Sequence, residues 1–251
     1  MCQLISTAGL LCWASFPIPV SMTTPRAILF DLDDTLWPIG PVITRAEQLV
    51  HAWLAEHAPR VAGRFSIEQL REARMALLQQ QPDYHLDLGA LRRAGLQAAF
   101  AEVGEDAASV EHAMQVYYQA RNTVELYEDV LPALAEIGTL AMVGSISNGN
   151  ANLETIGLAH HFTFSLSAAA HGSAKPDPAI FLAACAALDV APQDAVYVGD
   201  DILLDVQGAQ RAGLRAVWLN RTGSTRHLEH GVVPDAICRN MAELLDWLRH
   251  A

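Results

Sequence analysis

The sequence predicts an α/β domain built on a parallel sheet and interrupted once by an all-helical insert. Three observations carry that expectation. From Arg26 onward, short apolar runs rich in β-branched residues alternate with helical patterns, as in a sheet assembled from βαβ units. Between Trp37 and about Tyr127 the alternation breaks, and four helical patterns follow one another without a strand. Polar residues gather directly behind the apolar runs, where a parallel sheet collects its ligands.

Taken in order, residues 1–21 are apolar but have no Lys or Arg ahead of the apolar run and no clear small-x-small cleavage site. The run is too short to span a bilayer, so this stretch is expected to be a loose extension with the domain opening at Met22. Ala27 to Phe30 reads as the first strand. Residues 41–124 form the helical insert, far longer than an ordinary βα connection of roughly 2 to 6 residues. Its second helix opens at Ser66, with Gln69 in capping-box spacing and an inward stripe of Ile67, Leu70, Leu77 and Leu78. The sheet domain, residues 22–40 and 125–251, continues with strands at Leu140 to Ile146, Phe162 to Leu166, Ala195 to Val198 and Ala216 to Leu219. A weak strand at Ala236 to Cys238 and a helix from Met241 to Leu248 follow. Because the insert leaves from the loop behind the first strand, it is placed to act as a lid.

Composition narrows the function classes. With 251 residues and 51% hydrophobic content, the chain can bury a full core, which excludes a disordered or fibrous protein. Sixteen Lys plus Arg against 28 Asp plus Glu give a net charge of −12, and no local basic patch offsets it. Nucleic acid and anionic membranes are thereby disfavoured as partners, and a small molecule is favoured. Cys2, Cys12, Cys185 and Cys238 have neither paired nor metal-type spacing, which fits a reduced, cytoplasmic protein. Either a monomer or a dimer is compatible with the sequence.

The chemistry starts in "ILFDLDDTLW", where Asp31, Asp33 and Asp34 crowd the end of a strand. Like charges this close raise one another's pKa unless a cation compensates them. Asp31 and Asp33 are two apart, which puts both on one side of an extended chain, and Asp200 in "GDDILLD" can join them. Three hard oxygen ligands with room for water suit Mg²⁺. Thr35 follows the first strand, and Ser147, Asn148 and Gly149 follow the second; the "SNGN" turn before a helix offers a hydroxyl and backbone N–H groups to an anion. Lys175 stands in "KPDP", fixed at a helix entrance by Asp177 and Pro178, where it can offset phosphate charge and pair with Asp205. A solvated acidic turn would explain Asp33 and Asp34 alone but not the companion groups at three other strand ends.

In that order, "DLDDT", "SNG", "KPDP" and "GDDILLD" resemble the motifs of the haloacid dehalogenase superfamily of aspartate-nucleophile phosphatases with a helical cap. The resemblance implies a Rossmann-like parallel sheet core with the cap inserted behind the first strand. It implies Asp31 as nucleophile, Asp33 as general acid and base, Ser147 and Lys175 as holders of the phosphoryl group with Thr35 and Asn148 beside them, and Mg²⁺ on Asp31, Asp33 and Asp200. Asp205 would support Lys175, and Asp201 would touch a metal-bound water. Relatives that cleave carbon–halogen bonds have no leaving alkoxide to protonate and lack an Asp at the position of Asp33. "FDLDDTLWPIGPVITRAE", "PDYHLDLGALRRAGL" and "SNGNANLETIGL" further resemble bacterial phosphatases acting on flavin mononucleotide and on the phosphorylated ribitylaminouracil of riboflavin synthesis. Substrate contacts are then expected from Tyr84, His85, Asp87, Arg92 and Arg93, with Trp37 near the hinge. A nucleotidase, a sugar phosphatase or a phosphomutase would keep the same motifs. His160, His161 and His171 match no metal spacing and read as structural.

Overall fold

The computed structural model describes residues 24–225 and 229–250; the expected loose extension and Met22 lie outside them. Six strands form one parallel sheet: β1 (Ala27–Phe30), β2 (Met142–Ser147), β3 (Phe164–Ser167), β4 (Ala195–Gly199), β5 (Arg215–Leu219) and β6 (Ala236–Cys238). Their spatial order is β3-β2-β1-β4-β5-β6, with β1 paired to both β2 and β4. The chain therefore winds outward in both directions from β1, and a crevice opens between the carboxyl ends of β1 and β4, the switch point where such sheets bind ligands.

Alternation along the central strands divides the core into two layers. Ile28 and Phe30 of β1, with Val196 and Val198 of β4, pack under one face against α6 (Val130–Leu140) and the helix Met241–His250. Ala27, Leu29, Ala195 and Tyr197 point to the other face and meet the helix Pro178–Ala187 through Ile180, Phe181 and Ala184. A strand buried on both faces needs no polar positions, which is why "AILF" reads as one continuous apolar run.

Between Trp37 and Tyr127 run five α-helices rather than four: α1 (Ile39–His57), α2 (Pro59–Arg64), α3 (Ile67–Gln80), α4 (Leu88–Val103) and α5 (Ser109–Arg121). The extra one is α2, a short helix with Pro59 in its first turn, where the missing N–H costs nothing. The capping box of Ser66 and Gln69 forms, and it opens the third helix of the insert. No residue of α3 is fully buried, so Ile67, Leu70, Leu77 and Leu78 are only half covered. The insert has its own apolar cluster, including Val50, Leu54, Leu96, Phe100, Met114 and Tyr117. Leu86, between α3 and α4, reaches out of it and packs against the sheet's second layer. No helix among the described residues is long and apolar enough to cross a membrane.

Candidate active site

The site assembles at the switch point because the chain leaves the ends of β1 and β4 side by side. The Asp31 amide still donates to the carbonyl of Val198 (2.9 Å), which holds Asp31 in register with β4. Beyond it the chain folds back sharply: the Leu36 amide bonds the Leu32 carbonyl, the Asp34 amide bonds the Trp37 carbonyl, and Asp34 adopts φ +60°. Asp tolerates that left-handed backbone better than most residues, and its Oδ1 accepts the Ile39 amide at 2.9 Å, capping α1.

Lys175 is the hub. Its Nζ donates to Asp31 Oδ1 at 2.5 Å, to Asp205 Oδ1 at 2.6 Å and to the Tyr197 hydroxyl at 2.9 Å, so its three protons are all engaged. Asn148 fixes the same residue through its backbone: Nδ2 donates to the Lys175 carbonyl (3.0 Å), and the Lys175 amide donates to Oδ1 (2.9 Å). Lys175 is the single lysine in the sequence, against fifteen arginines. A compact ammonium fits between two carboxylates and a phenol where a planar guanidinium would not.

Carboxylate oxygens of Asp31, Asp200 and Asp205 lie within 4.8 Å of one another. Asp205 Oδ2 accepts the Asp201 amide at 2.9 Å, and it comes so close to Gly199 that a Cβ there would meet this oxygen at 2.3 Å. Only glycine fits that position. Burial pushes the Asp200 carboxyl up to about 7, and Asp205 and Asp34 add to the shift. Burial likewise holds the Asp31 carboxyl well above the usual carboxylate range against the pull of Lys175. For Lys175 burial works downward, but Asp205 and Asp31 outweigh it and keep the ammonium well above its ordinary value. Such a concentration of buried like charge is what a divalent cation relieves.

Asp33 belongs to a different arrangement. Its carboxylate accepts from Trp37 Nε1 at 2.9 Å and from Arg121 Nη2 at 2.8 Å on Oδ1 and 2.7 Å on Oδ2. Burial raises the Asp33 carboxyl, although Arg121 and the Trp37 bond pull it down. Gly149 brings the loop behind β2 alongside: a Cβ on it would meet Asp33 Oδ2 at 2.6 Å and Arg121 Nη2 at 3.3 Å. In that loop Ser147 Oγ accepts the Gly149 amide at 2.9 Å.

Asp31, Asp33, Ser147, Lys175 and Asp200 are thus brought to one place, while other expected roles are not matched by the geometry. The Asp33 carboxylate is not in the carboxylate group, because Arg121 and Trp37 hold it; Asp205 stands there instead. Thr35 is fully buried and directs Oγ1 at Asp31 Oδ2 (3.4 Å) and Asp200 Oδ1 (3.3 Å), steadying carboxylates instead of facing a phosphate. Asn148 spends its amide on Lys175. The Asp201 carboxylate accepts the Leu203 and Leu204 amides and so caps the π-helical turn Ile202–Gln207. Trp37 has no exposed surface with which to touch a substrate.

In the insert, Arg92 is buried. Its guanidinium lies 3.8 Å from the centre of the Tyr117 ring and joins Arg71 and Arg74 around the buried Glu47. Arg93 pairs with Glu111 at 2.6 Å, Asp87 caps α4 through the Ala90 amide, and His85 Nδ1 lies 2.7 Å from the Pro82 carbonyl. Tyr84 is half-buried on the segment that carries Leu86 to the sheet domain. A cavity of about 180 Å³ beside Asp200 is lined by Asp34, Tyr127, Ile202, Asn220 and Arg221. The sequence reading missed Arg121 and Tyr197. Tyr197 sits in an apolar strand with no local signal; Arg121 is separated from Asp33 by the whole insert.

Comparison with known proteins identifies the family. The haloacid dehalogenase-like hydrolase family matches residues 25–213. The 5-amino-6-(5-phospho-D-ribitylamino)uracil phosphatase YigB of Escherichia coli (strain K12) is 31% identical over 197 residues, which are 77% of this chain and 82% of that protein. A glyceraldehyde 3-phosphate phosphatase of Methanopyrus kandleri is 30% identical over 239 residues, 89% of this chain and 97% of its own. Among solved structures, a 2-haloacid dehalogenase from Pseudomonas syringae pv. tomato DC3000 superposes with a TM-score of 0.84 at 37% identity, covering 90% of this chain and 99% of that one. With its parallel sheet, its carboxylate-rich switch point and this family match over most of its length, the chain belongs to the haloacid dehalogenase-like hydrolases.

Proposed function

We propose that this chain is a phosphatase that hydrolyses the phosphate monoester of a small metabolite, with Asp31 as nucleophile and Asp33 as general acid and base. The observation that carries the reading is the second carboxylate. Asp33 is held at a fixed orientation by Trp37 and Arg121, next to the loop that carries Ser147. Cleaving a carbon–halogen bond needs no proton donor for its leaving group, whereas an alkoxide leaving phosphorus does.

In the first half of the reaction an Asp31 oxygen attacks phosphorus, the ester P–O bond breaks, and Asp33 gives its proton to the departing alkoxide. In the second half Asp33 takes a proton from water, which attacks the same phosphorus; the aspartyl P–O bond breaks, and inorganic phosphate leaves with Asp31 restored. Lys175 offsets charge on the phosphoryl oxygens and keeps Asp31 turned toward them, with Asp205 and Tyr197 fixing the ammonium. The raised pKa of Asp33 leaves it protonated for the first half more readily than an ordinary carboxylic acid.

An oxygen-only donor set fits Mg²⁺. Asp31 and Asp200 would hold it, since both oxygens of Asp205 are already taken by Lys175 and the Asp201 amide. When bound, the cation supplies positive charge that draws the phosphate dianion to a carboxylate.

The insert, α1 to α5, serves as a lid, and substrate choice lies there. The likeness to the ribitylaminouracil phosphatase supports the phosphorylated ribitylaminouracil as substrate, with flavin mononucleotide, which carries the same ribityl phosphate, beside it and Tyr84 as the group on which a planar ring stacks. Arg92 and Trp37 contribute packing instead of contact. A dehalogenase reading has its own support in the likeness to the Pseudomonas structure. Purified protein given Mg²⁺ with these ribityl phosphates, hexose phosphates, nucleoside monophosphates and 2-chloropropionate separates the readings. Phosphate release, highest in kcat/KM on the ribityl substrates, is expected; chloride release without phosphatase activity would overturn the assignment.

A further inference from the structure

We infer that Arg121 is a positioning residue for proton transfer: it fixes the Asp33 carboxylate, and through its place in the insert it makes that transfer depend on how the lid sits. The inference rests on the phosphatase reading and adds a residue that the motifs do not contain. Arg121 is the last residue of α5, where the insert returns to the sheet domain, and is 1% exposed. Its Nη2 reaches both oxygens of Asp33 at 2.7 and 2.8 Å, across 88 positions of sequence. Trp37 takes Oδ1 from the sheet-domain side of the insert. The carboxylate is therefore gripped from both ends of the insert at once, by a residue just ahead of α1 and by one at the end of α5. A carboxylate held by one short bond can rotate away from a leaving group; one held on both oxygens cannot.

A purely structural staple between the lid and the sheet would be expected to satisfy the guanidinium on all sides, because an unpaired buried donor costs stability. Arg121 does not fit that pattern. Its Nη1 is buried and has no hydrogen-bond partner among the described residues, and neither has Nδ2 of Asn150, in the loop that Gly149 brings against the same guanidinium. Arg121 bonds Asp33 through its other terminal nitrogen, and the loop that carries Asn150 passes both groups at Gly149, so the two unpartnered donors belong to residues that flank Asp33. The ion pair of Arg93 with Glu111, elsewhere in the insert, is exposed to solvent instead.

The test compares leaving groups. An alkyl phosphate needs its alkoxide protonated, whereas 4-nitrophenyl phosphate has a leaving group stable enough to depart unprotonated. In Arg121→Met, kcat/KM on the alkyl phosphate is expected to fall by about 30-fold or more, a large part of the about 10² to 10⁴ that acid–base catalysis supplies, while kcat/KM on 4-nitrophenyl phosphate falls less than about threefold. On the aryl substrate kcat still drops, because water attack on the aspartyl phosphate needs the same base. Arg121→Lys should recover part of the alkyl activity, and millimolar guanidinium should restore part of it in Arg121→Met, neither of which a misfolded variant would do. Equal losses on both substrates, or alkyl activity within threefold of the parent protein, would overturn the role of Arg121 while leaving the phosphatase reading intact. Failure of the parent protein to hydrolyse either phosphate would overturn that reading and this inference together.

Discussion

Replacing Asp200 by asparagine removes one negative charge from the crowded switch point while keeping the side chain's shape and the oxygen that faces Thr35. In the cation-free protein this should stabilise the fold. The Asp200 carboxyl is pushed from 3.8 up to about 7 by burial, then by Asp205 and Asp34. A carboxyl with a raised folded pKa binds more protons in the folded than in the unfolded chain between those two values. Stability is therefore highest below pH 3.8 and is lost as pH rises through about 7. About three pKa units correspond to about 4 kcal/mol at most. Asp200 is only half-buried, so solvent screening leaves about 1 to 2 kcal/mol at pH 8. For a chain of this size that is about 2 to 8 °C in Tm. Thermal melts of both proteins in EDTA should show Asp200→Asn melting higher at pH 8, with the gap narrowing as pH falls below about 7 and closing only near pH 4, where the unfolded carboxyl is protonated too. Mg²⁺ should then raise the melting point of the parent and not of the variant. The reasoning fails if the variant melts at or below the parent at pH 8 in EDTA, or if Mg²⁺ shifts both equally.

Asp31→Asn should abolish turnover with the melting curve unchanged within a few degrees; residual activity above a few per cent would remove Asp31 as nucleophile. Exhaustive chelation should silence phosphate release and added Mg²⁺ should restore it, a result read directly from an assay with and without EDTA. Glu47→Gln strips a buried carboxylate from Arg71, Arg74 and Arg92 and should destabilise the insert by about 3 kcal/mol in a urea melt, without altering the KM of an aryl phosphate. Gly199→Ala forces a Cβ onto Asp205 Oδ2 and should cost activity on every phosphate ester tested alike, because it displaces the partner of Lys175 rather than a substrate contact.

The sheet was legible where one physical signal acted alone. β1 and β6 fall where the apolar runs put them. β2 begins two residues later than expected because Leu140 closes the last turn of α6, and an apolar residue at a helix end looks the same as one at a strand start. The short helix α2 escaped because six residues are too few to display a period. In the site, the charged residues behind each strand were visible, but their partners were not. Thr35 and Trp37 lie next to carboxylates in the motif, yet the fold-back after Leu32 buries both, and no pattern of neighbours reveals that reversal. Arg121 could be found only through the tertiary fold. Lys175 carried a signal in composition: a sequence that uses arginine at fifteen positions keeps one lysine, at the position where a compact, three-proton cation is required.

That solitary lysine has a consequence for handling the protein. Reagents that acylate amines, resins that couple through them and fluorophores delivered as activated esters all depend on an accessible, unprotonated lysine. Here the single candidate is buried, with a pKa held well above the ordinary value and every ammonium proton shared with Asp31, Asp205 or Tyr197. Under native conditions such chemistry finds no accessible lysine among the described residues. Label entering Lys175 then reports that the switch point has opened, which turns a routine modification into a clock for local unfolding.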